Sequence, residues 1–374
     1  MISFDKKKTF RVLAPLVSRI ASNKSPYPIS DYVLIEVSKG KDIMHLSCTD
    51  GNLTGTARVT LEQCAAENFK ICVAARLLLE LLKSLPDGEL TLYSKDNGAF
   101  LRWDSGESML STVDPYDFPS AYVISEPKGN GSMKISSLAA SLKSVAGAAA
   151  DESFGRPALS SILFDSRNGT LNLVASDSHQ LICASFPSDL PEGSFLLPSQ
   201  GASLLSLITL TSEDSVLTVT YNDSHARFDM EDFSITSTLV SAKFPKYQGV
   251  IPQGPPGILL IERQRLIQII RRASVFCSKA TGSISLSFSP GNLKITSEDL
   301  GYGMNLNESV DCEYAGPEIS MKVKADLLVD VLHSITAERV EIGVTEAVRP
   351  LRFRPEKPEK EDETQVAVLM PAGK

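Results

Sequence analysis

The sequence lacks the residue patterns of most catalytic and metal-binding proteins. Its six cysteines include no C-x-x-C pair, which argues against a zinc knuckle or a dithiol redox couple and favours reduced thiols. Its four histidines are scattered, without an H-E-x-x-H motif or another metal-like spacing. No G-x-S-x-G motif and no phosphate-binding loop occurs. We therefore expect a protein that is not an enzyme and that takes no cofactor and no metal.

The sequence also lacks long apolar runs and an excess of positive charge. No run approaches the roughly 18 apolar residues of a membrane helix, and no apolar stretch follows the charged start, so we expect a cytoplasmic protein without a membrane partner. Against 45 acidic residues stand 37 lysines and arginines, for a formal net charge of −8. That balance argues against nucleic acid wrapped around a uniformly basic surface, but it is compatible with a local basic lining.

What the chain does contain is an internal repeat. Ser111–Val113 followed by Phe118-Pro119 recurs 126 residues later as Ser237–Leu239 followed by Phe244-Pro245. This offset is close to one third of the 374 residues, which predicts three tandem modules. The predicted repeats span residues 1–125, 126–252 and 253–374.

Two amphipathic helices are predicted in each repeat from apolar residues at helical spacing. The first helices carry the stripes Leu13, Leu16, Val17 and Ile20; Leu138, Leu142 and Val145; and Leu266, Ile269, Ile270 and Ala273. The second helices carry Leu77, Leu78, Leu81, Leu82 and Leu85; a looser set at Leu204, Leu205, Leu207 and Ile208; and Leu327, Leu328, Val331, Leu332 and Ile335.

Strands recur as well, as alternating nine-residue blocks that each end on aspartate. The blocks are Asp42–Asp50, Gly169–Asp177 and Gly291–Asp299, and each follows a β-prone run, at Val33–Val37, Ile162–Phe164 and Ile284–Phe288. Segments 125–132 and 252–257 are rich in Gly, Pro and Ser and are predicted to be linkers. The charged segment 355–364 is predicted to be a solvated hairpin loop.

Basic residues lie opposite the apolar stripes of the helices. Arg271 is roughly 150° from the stripe centre at about 100° per residue, with Arg272 beside it. Lys143 holds the equivalent place in the second repeat. In the first repeat, Arg19 lies beside the equivalent position. These cations either form an ordinary solvated face or line a surface that faces a polyanion. The second helices add Arg76, Lys83 and Lys324 near their ends.

Five motifs, in order along the chain, carry a resemblance to a known family. Lys24–Ile29 resembles the family's loop after the first helix, and Arg156–Leu159 resembles R-P-x-L. Ala175–Leu181 resembles A-T-D-G-H-R-L, Phe244–Pro252 resembles F-P-D-Y-x-x-V-x-P, and Val368–Pro371 resembles the terminal V-x-M-P. Together with the three-fold repeat, the chain resembles the bacterial DNA polymerase III β subunits, the sliding clamps.

The resemblance implies an α+β fold of three tandem DNA-clamp repeats, each with two helices packed on antiparallel sheets. Two chains would join head to tail in a six-domain ring around duplex DNA. The closed ring would retain the DNA by its topology, without sequence-specific contacts. Such a ring tethers the polymerase III α subunit, the clamp loader and other proteins with a clamp-binding motif, among them repair polymerases and mismatch-repair proteins. The candidate DNA contacts are Arg19, Lys24, Arg76, Lys83, Lys143, Arg156, Arg271, Arg272 and Lys324.

The resemblance also implies a partner-peptide pocket between the second and third repeats. Aliphatic walls, an adaptable methionine and a polar rim suit a short peptide with an aliphatic-aromatic end. Gln180 and Ser178 stand where the family usually has Arg and Gly, and Gln200 departs from a frequently basic position. The predicted pocket residues are Leu159, Ser176, Ser178, His179, Leu181, Pro245, Val250, Val348, Pro350, Val368, Met370 and Pro371.

For the dimer, the edge strand around Met109 and Leu110 is predicted to meet Val275 and Phe276, although a core role for Phe276 fits equally. Two other functions are possible. One is a scaffold of three repeats that binds proteins and no DNA. The other is a hydrolase using Asp177–His179, which is disfavoured because neighbouring residues of a strand-like run point to opposite faces.

Overall fold

The computed structural model describes residues 1–21, 28–63, 65–95, 98–120, 122–211, 215–358, 360 and 362–372. The chain forms two compact units, each built from two separate segments. Met1–Ser136 and Gln200–Leu239 make the first unit, whereas Ser137–Ser199 and Val240–Lys374 make the second. The second repeat therefore contributes to both units.

The predicted amphipathic helices are all present, because each helix has one apolar face to bury. Leu13 and Leu16 are fully buried, as are Leu138 and Ile270. The helices are α1 Lys6–Arg19, α2 Ala75–Ser84, α3 Ile135–Val145, α4 Ser199–Thr211, α5 Arg263–Val275 and α6 Ala325–Ser334.

The strands include every predicted alternating block, and they alternate with the helices along the chain. In the first third they are β1 Ile2–Asp5, β2 Tyr32–Val37, β3 Ile43–Thr49, β4 Leu53–Thr60, β5 Phe69–Ala74, β6 Glu89–Lys95, β7 Gly98–Trp103, β8 Gly106–Leu110 and β9 Thr112–Val113. In the middle third they are β10 Gly129–Lys134, β11 Ser161–Arg167, β12 Thr170–Ser176, β13 Gln180–Pro187, β14 Gly193–Pro198, β15 Val216–Tyr221, β16 His225–Asp229 and β17 Phe233–Thr238. In the last third they are β18 Gly257–Glu262, β19 Ser283–Ser289, β20 Asn292–Asp299, β21 Met304–Asp311, β22 Glu313–Ala315, β23 Ile319–Lys324, β24 Arg339–Val344, β25 Leu351–Pro355 and β26 Thr364–Leu369.

Two sheets build the first unit. One has the order β1-β6-β7-β8, and the other the order β10-β15-β16-β17-β4-β3-β2-β5-β9. Helices α1 and α2 pack against each other, and α1 lies on β3 and β4. A side chain at Gly55 of β4 would come within 2.5 Å of the Leu16 side chain, so glycine leaves room for α1 against the sheet.

The second unit is built in the same way. Its sheets have the orders β14-β11-β12-β13-β26-β25-β24-β18-β22 and β21-β20-β19-β23. Helices α5 and α6 pack together, α5 on β18, β19 and β20, and α6 on β13, β23 and β26. The described strand pairs are antiparallel and the helices pack on strands of both sheets, which confirms the α+β class expected from the sequence.

The aspartates that end the predicted blocks form equivalent turns. Asp50 Oδ1 accepts the backbone N–H groups of Asn52 and Leu53 at 2.9 and 2.8 Å. Asp177 Oδ1 accepts those of His179 and Gln180, both at 2.8 Å. In the third repeat Asp299 Oδ1 accepts the N–H of Gly301 at 2.9 Å. The recurring aspartate is therefore a turn residue that satisfies backbone donors.

The expectation for segment 125–132 is partly wrong. Residues 129–132 belong to β10, which pairs with β15 about 90 residues away, so glycine and serine here lie in a strand rather than a linker. The charged segment 355–364 does connect the paired strands β25 and β26, as predicted, although residues 359 and 361 lie outside the described part.

Two further findings concern the described residues only. None of their helices is long and apolar enough to cross a membrane. The cysteines among them are free, and burial raises the pKa of the Cys48 and Cys72 thiols to about 12. Thiols with such pKa values are protonated and unreactive at neutral pH.

Candidate functional site

A cluster of buried apolar residues lies on one face of the second unit's large sheet, where alternate residues of neighbouring strands meet. Leu163, Val174 and Cys183 are opposite one another in register, as are Leu181 and Val368. Cross-strand partners share a face, so these side chains form one cluster. It also includes Leu196 and Tyr247, with Ala158, Val240, Phe244, Ile251 and Val366 packed against it.

The positions of Val174, Leu181 and Cys183 are polar in the other two repeats. The residue pairs that flank the turns show which positions are equivalent in the three repeats. Thr49 pairs with Thr54 and Ser176 pairs with Leu181, in each case five positions further on. Glu298 pairs with Asn305, seven positions further on. Leu181 therefore corresponds to Thr54 and Asn305. In the first repeat, hydroxyls on this face bond each other, Thr49 to Thr54 at 2.7 Å and Ser47 to Thr56 at 2.9 Å. At the positions of Leu163 and Leu196 the first repeat is also apolar, with Leu34 and Cys72 clustered against Phe118. The second repeat therefore differs from the first in the part of this face nearest the turn.

The turn between β12 and β13 forms one rim of this face. Ser178 has a φ of 79°, in the left-handed region where the family's usual glycine fits without strain. The Ser176 hydroxyl donates to the Gln180 carbonyl at 2.7 Å, which closes the turn. The Asp177 carboxylate accepts the backbone N–H groups of His179 and Gln180 and does not orient the His179 imidazole. The run 177–179 is a turn between β12 and β13 rather than the strand-like run assumed from the sequence.

A second rim is the segment that follows Phe244. A short 3-10 turn at Tyr247–Gly249 is held by the Tyr247 hydroxyl, which donates to Asp165 Oδ2 at 2.8 Å. Burial is the main cause that raises the pKa of Tyr247, and the bond to Asp165 adds to it. Val250, just after the turn, is 41% exposed. An apolar side chain that remains open beside an apolar cluster can contact a ligand.

The C-terminal strand closes the surface. Met370, which is 38% exposed, donates its backbone N–H to the carbonyl of His179 at 2.8 Å. The structure thus brings the buried Leu181 and Val368 close to the exposed Met370 and to the turn, and we call these residues together with Val250 the groove. Leu159 is buried, Ser178, His179 and Pro245 are exposed, Val348 is 72% exposed, and Pro350 and Pro371 are half-buried.

The candidate DNA contacts of the first unit are exposed. Arg19 lies in the last turn of α1, and Arg76 and Lys83 lie near the two ends of α2. Arg76 also donates from Nε to the Ala21 carbonyl at 3.1 Å, which fixes its side chain against the end of α1. Lys24 lies outside the described residues.

The candidate cations of the second unit differ in how they are engaged. Lys143 on α3 and Lys324 before α6 are exposed, and the Arg156 guanidinium lies 5.7 Å from the Phe154 ring centroid. Arg271 Nη2 is 3.3 Å from His333 Nε2. Arg272 makes a two-pronged ion pair with Glu308 of β21, its Nε donating at 3.2 Å. Sequence reasoning missed this carboxylate, since no local spacing links the two residues.

Of the dimer candidates, two are open and two are not. Met109 and Val275 are 67% and 70% exposed, whereas Phe276 is half-buried and Leu110 is only 3% exposed. The side chain of Leu110 is thus already packed within its own chain, and its strand offers a backbone edge instead. β8 and β21 are terminal strands of their sheets as described.

Among the described residues, no group of three or more His, Cys, Asp or Glu side chains could hold a metal ion. The described part of the chain thus repeats a helix-on-sheet module, with exposed cations on or beside its helices, an architecture that suits a DNA-clamp type of protein. Comparison with known proteins agrees. Family models of the DNA polymerase III beta subunit match residues 9–122 with the N-terminal domain, 133–246 with the central domain and 248–372 with the C-terminal domain. The chain therefore belongs to the DNA polymerase III beta subunit family.

Curated relatives and solved structures cover nearly the whole chain. The Beta sliding clamp of Pseudomonas aeruginosa is 29% identical over 332 residues, covering 87% of this chain and 88% of the relative. That of Escherichia coli K12 is 27% identical over 353 residues, covering 91% and 93%. The structure of the Pseudomonas aeruginosa sliding clamp bound to griselimycin has a TM-score of 0.92 at 25% identity, covering 100% of this chain and 99% of that one. A Thermotoga maritima beta subunit, 21% identical over 100% of this chain and 99% of its own, has a TM-score of 0.91 and shares the fold.

Proposed function

We propose that this chain is a sliding clamp that works as a head-to-tail homodimer. Its three repeats, residues 1–125, 126–252 and 253–374, would form half of a six-domain ring around duplex DNA. The ring would hold replication proteins through the apolar groove. The observation that carries the proposal is the way in which the repeats join within one chain.

Two internal joints use equivalent strands in identical register. In the first, β4 pairs with β17, Thr54 lies opposite Thr236, and the Thr238 N–H donates to the Asn52 carbonyl at 2.8 Å. In the second, β13 pairs with β26, Leu181 lies opposite Val368, and the Met370 N–H donates to the His179 carbonyl at 2.8 Å. A third joint of this kind would pair β21 with β8, both terminal strands of their sheets.

The transposed register assigns specific contacts to the third joint. Gly55 lies opposite Ile235 and Ile182 opposite Ala367, so Leu306 would lie opposite Met109 of the partner subunit. Ile235 and Ala367 are 1% and 0% exposed, whereas Met109 is 67% exposed. Met109 thus has the exposure expected of an interface residue whose cover comes from a second copy. Val275 and Phe276, at the end of α5, are proposed to supply that cover.

Cations on the helices support the second part of the proposal, contact with DNA. In an overall acidic chain, exposed Lys83, Lys143 and Lys324 on or beside helices would form a basic lining that is distinct from an acidic remainder. Lysine and arginine contacts to phosphates carry no sequence information, which suits a ring that must slide. DNA is retained because a closed loop cannot leave a long duplex sideways.

The groove supports the third part, tethering. The buried cluster at Leu181 and Val368 has the exposed Val250 and Met370 beside it, and exposed His179 offers a polar rim. Two buried aliphatic or aromatic anchors contribute a few kcal/mol at about 25 cal/mol per Å² of apolar area, which suits an exchangeable tether. The proposed partners are the polymerase III α subunit, the clamp loader, and repair polymerases and mismatch-repair proteins with a clamp-binding motif. We also propose that the chain has no catalytic role and that it is located in the cytoplasm.

The test is retention on DNA of defined topology. The purified chain, loaded on a nicked circular duplex, should stay bound and should be lost when the circle is cut to a linear form. Met109→Glu should halve the native mass and abolish retention, because a charge would face the apolar cover of the joint. Val123→Glu, on a 76% exposed valine outside the helices and the two edge strands, should change neither. Equal retention on circles and linear DNA would contradict retention by topology, and no retention on either form would favour the scaffold of three repeats that binds no DNA.

A further inference from the structure

A buried guanidinium lies beside the groove. Arg352 of β25 is only 6% exposed, with Val368 opposite on one neighbouring strand and Gly343 opposite on the other. Cross-strand partners share a face, so Arg352 lies on the same face as the groove. A buried charge is costly unless it is paired and hydrogen-bonded, so its partners show what it does.

Arg352 connects the sheet to the segment that carries the groove wall. Its Nη2 donates to Glu341 Oε1 at 2.8 Å, on the adjacent strand, and its Nη1 donates to the Pro252 carbonyl at 3.3 Å. Its Nε–H has no partner among the described residues. The guanidinium can make both bonds at once because its donors form a rigid fork, which the ammonium group of lysine lacks.

The wall between Tyr247 and Pro252 is therefore held at both ends. At the first end, the buried Tyr247 hydroxyl bonds Asp165; at the second, the Pro252 carbonyl bonds Arg352. Between them Ile251 packs against the apolar cluster and Val250 remains 41% exposed. Apolar packing is not directional, so the two polar bonds set where the exposed wall residue lies.

We propose that Arg352 is a positioning residue for the partner-peptide groove. By holding Pro252 against the sheet, it fixes the distance of Val250 from the floor at Leu181 and Val368. This inference rests on the proposed tethering function. It adds a residue that need not touch the peptide and that the sequence resemblance does not assign to the pocket.

The test compares variants that separate the positioning bond from the stability of the ion pair. Arg352→Met keeps the apolar stem but removes both donors. Arg352→Met combined with Glu341→Gln also removes the carboxylate left without its partner, which keeps the fold testable if the single variant unfolds. Arg352→Lys keeps the charge without the fork. Arg339→Met is the control, since Arg339 pairs with Glu313 and Glu356 and makes no bond to the segment 244–252.

Two readouts decide the matter. The first is the binding of a fluorescent pentapeptide that ends in Leu-Phe. Its affinity should fall about tenfold in the double variant and in Arg352→Lys, because a tenfold change corresponds to the loss of one charged hydrogen bond. The second is hydrogen exchange of residues 248–253, which should quicken in both but not in Arg339→Met. Wild-type affinity and wild-type exchange in the double variant would overturn the inference. If the wild-type chain itself fails to bind the peptide, the tethering function fails, while the exchange measurement still decides whether Arg352 positions the wall.

Discussion

Single turn residues explain much of what the sequence repeats. Asp50, Asp177 and Asp299 recur because each accepts backbone N–H groups at a tight strand connection, where unpaired donors would be costly. A carboxylate at this position is needed in every repeat, whereas the residue after it differs. Gly51 has a φ of 94° and Ser178 a φ of 79°, so the second repeat places a side chain where the first has none.

Replacement of Ser178 by glycine is predicted to stabilise the protein. A residue other than glycine in the left-handed region is strained, and removing the side chain should raise the free energy of unfolding by about 1 kcal/mol. Urea unfolding followed by circular dichroism measures this. Asn168→Gly is the control, since asparagine tolerates its φ of 52° and should gain less. A Ser178→Gly variant no more stable than wild type would show that the turn holds serine without strain.

Tyr247 gives a prediction that depends on pH. Its buried hydroxyl donates to Asp165, so Tyr247→Phe should lower the free energy of unfolding by about 1–3 kcal/mol at pH 8. The raised pKa of Tyr247 means that folding favours the protonated phenol. This contribution is complete below the ordinary tyrosine pKa of about 10 and is lost as the pH rises above it.

The stability difference between wild type and Tyr247→Phe should therefore shrink between pH 8 and pH 11. Urea unfolding at a series of pH values measures it, and Tyr116→Phe, on an 84% exposed side chain, should show no such trend. A difference that stays constant with pH would mean that the hydroxyl is not buried in the folded protein.

At the scale of elements, the rows of side chains on one sheet face distinguish the repeats. Leu181 corresponds to Thr54 in the first repeat. Leu181→Thr should therefore weaken peptide binding about tenfold by removing apolar contact area and placing a hydroxyl in the groove floor. Thr54→Leu should leave peptide binding unchanged. Fluorescence anisotropy with the Leu-Phe pentapeptide measures both, and an unaffected Leu181→Thr would move the binding surface elsewhere.

Helices and strands were accessible from sequence because their signals are local. A stripe such as Leu266, Ile269 and Ile270 predicts α5, and alternation predicts β12 and β20. Strand β10 was missed, because its partner β15 lies about 90 residues away and its glycines resemble those of a linker.

The candidate site was only partly accessible from sequence. Leu181 and Val368 do lie in one apolar cluster, and the Met370 N–H bonds the His179 carbonyl in the turn beside it, but their role as a pocket stays a prediction. The role of Arg352 and the pairing of Arg272 with Glu308 depend on strand neighbours that are distant in sequence, and the joints between repeats depend on register. No composition or spacing rule encodes such long-range pairings.

For the whole molecule, the negative net charge is compatible with the proposed contact with DNA only if the lysines and arginines are concentrated on the surface that faces the DNA. Lys143, Lys324 and Lys83 are exposed on or beside helices, whereas Arg272 is already paired with Glu308. The predicted cations should therefore contribute unequally. A lysine free to meet a phosphate displaces a counterion, whereas an arginine must first give up its carboxylate partner.

Equilibrium binding of a short fluorescent duplex at several salt concentrations tests this inequality. Lys143→Ala should lower the slope of log K against log salt by about 0.9, the value for one lost phosphate contact. Arg272→Ala should lower it less and should weaken the dimer instead, since Glu308 lies on the strand proposed for the joint. Lys39→Ala, on the loop between β2 and β3, is the control and should leave the slope unchanged. Equal slopes for wild type and Lys143→Ala would remove α3 from the DNA-facing surface, and the ring would then require a different set of inward cations.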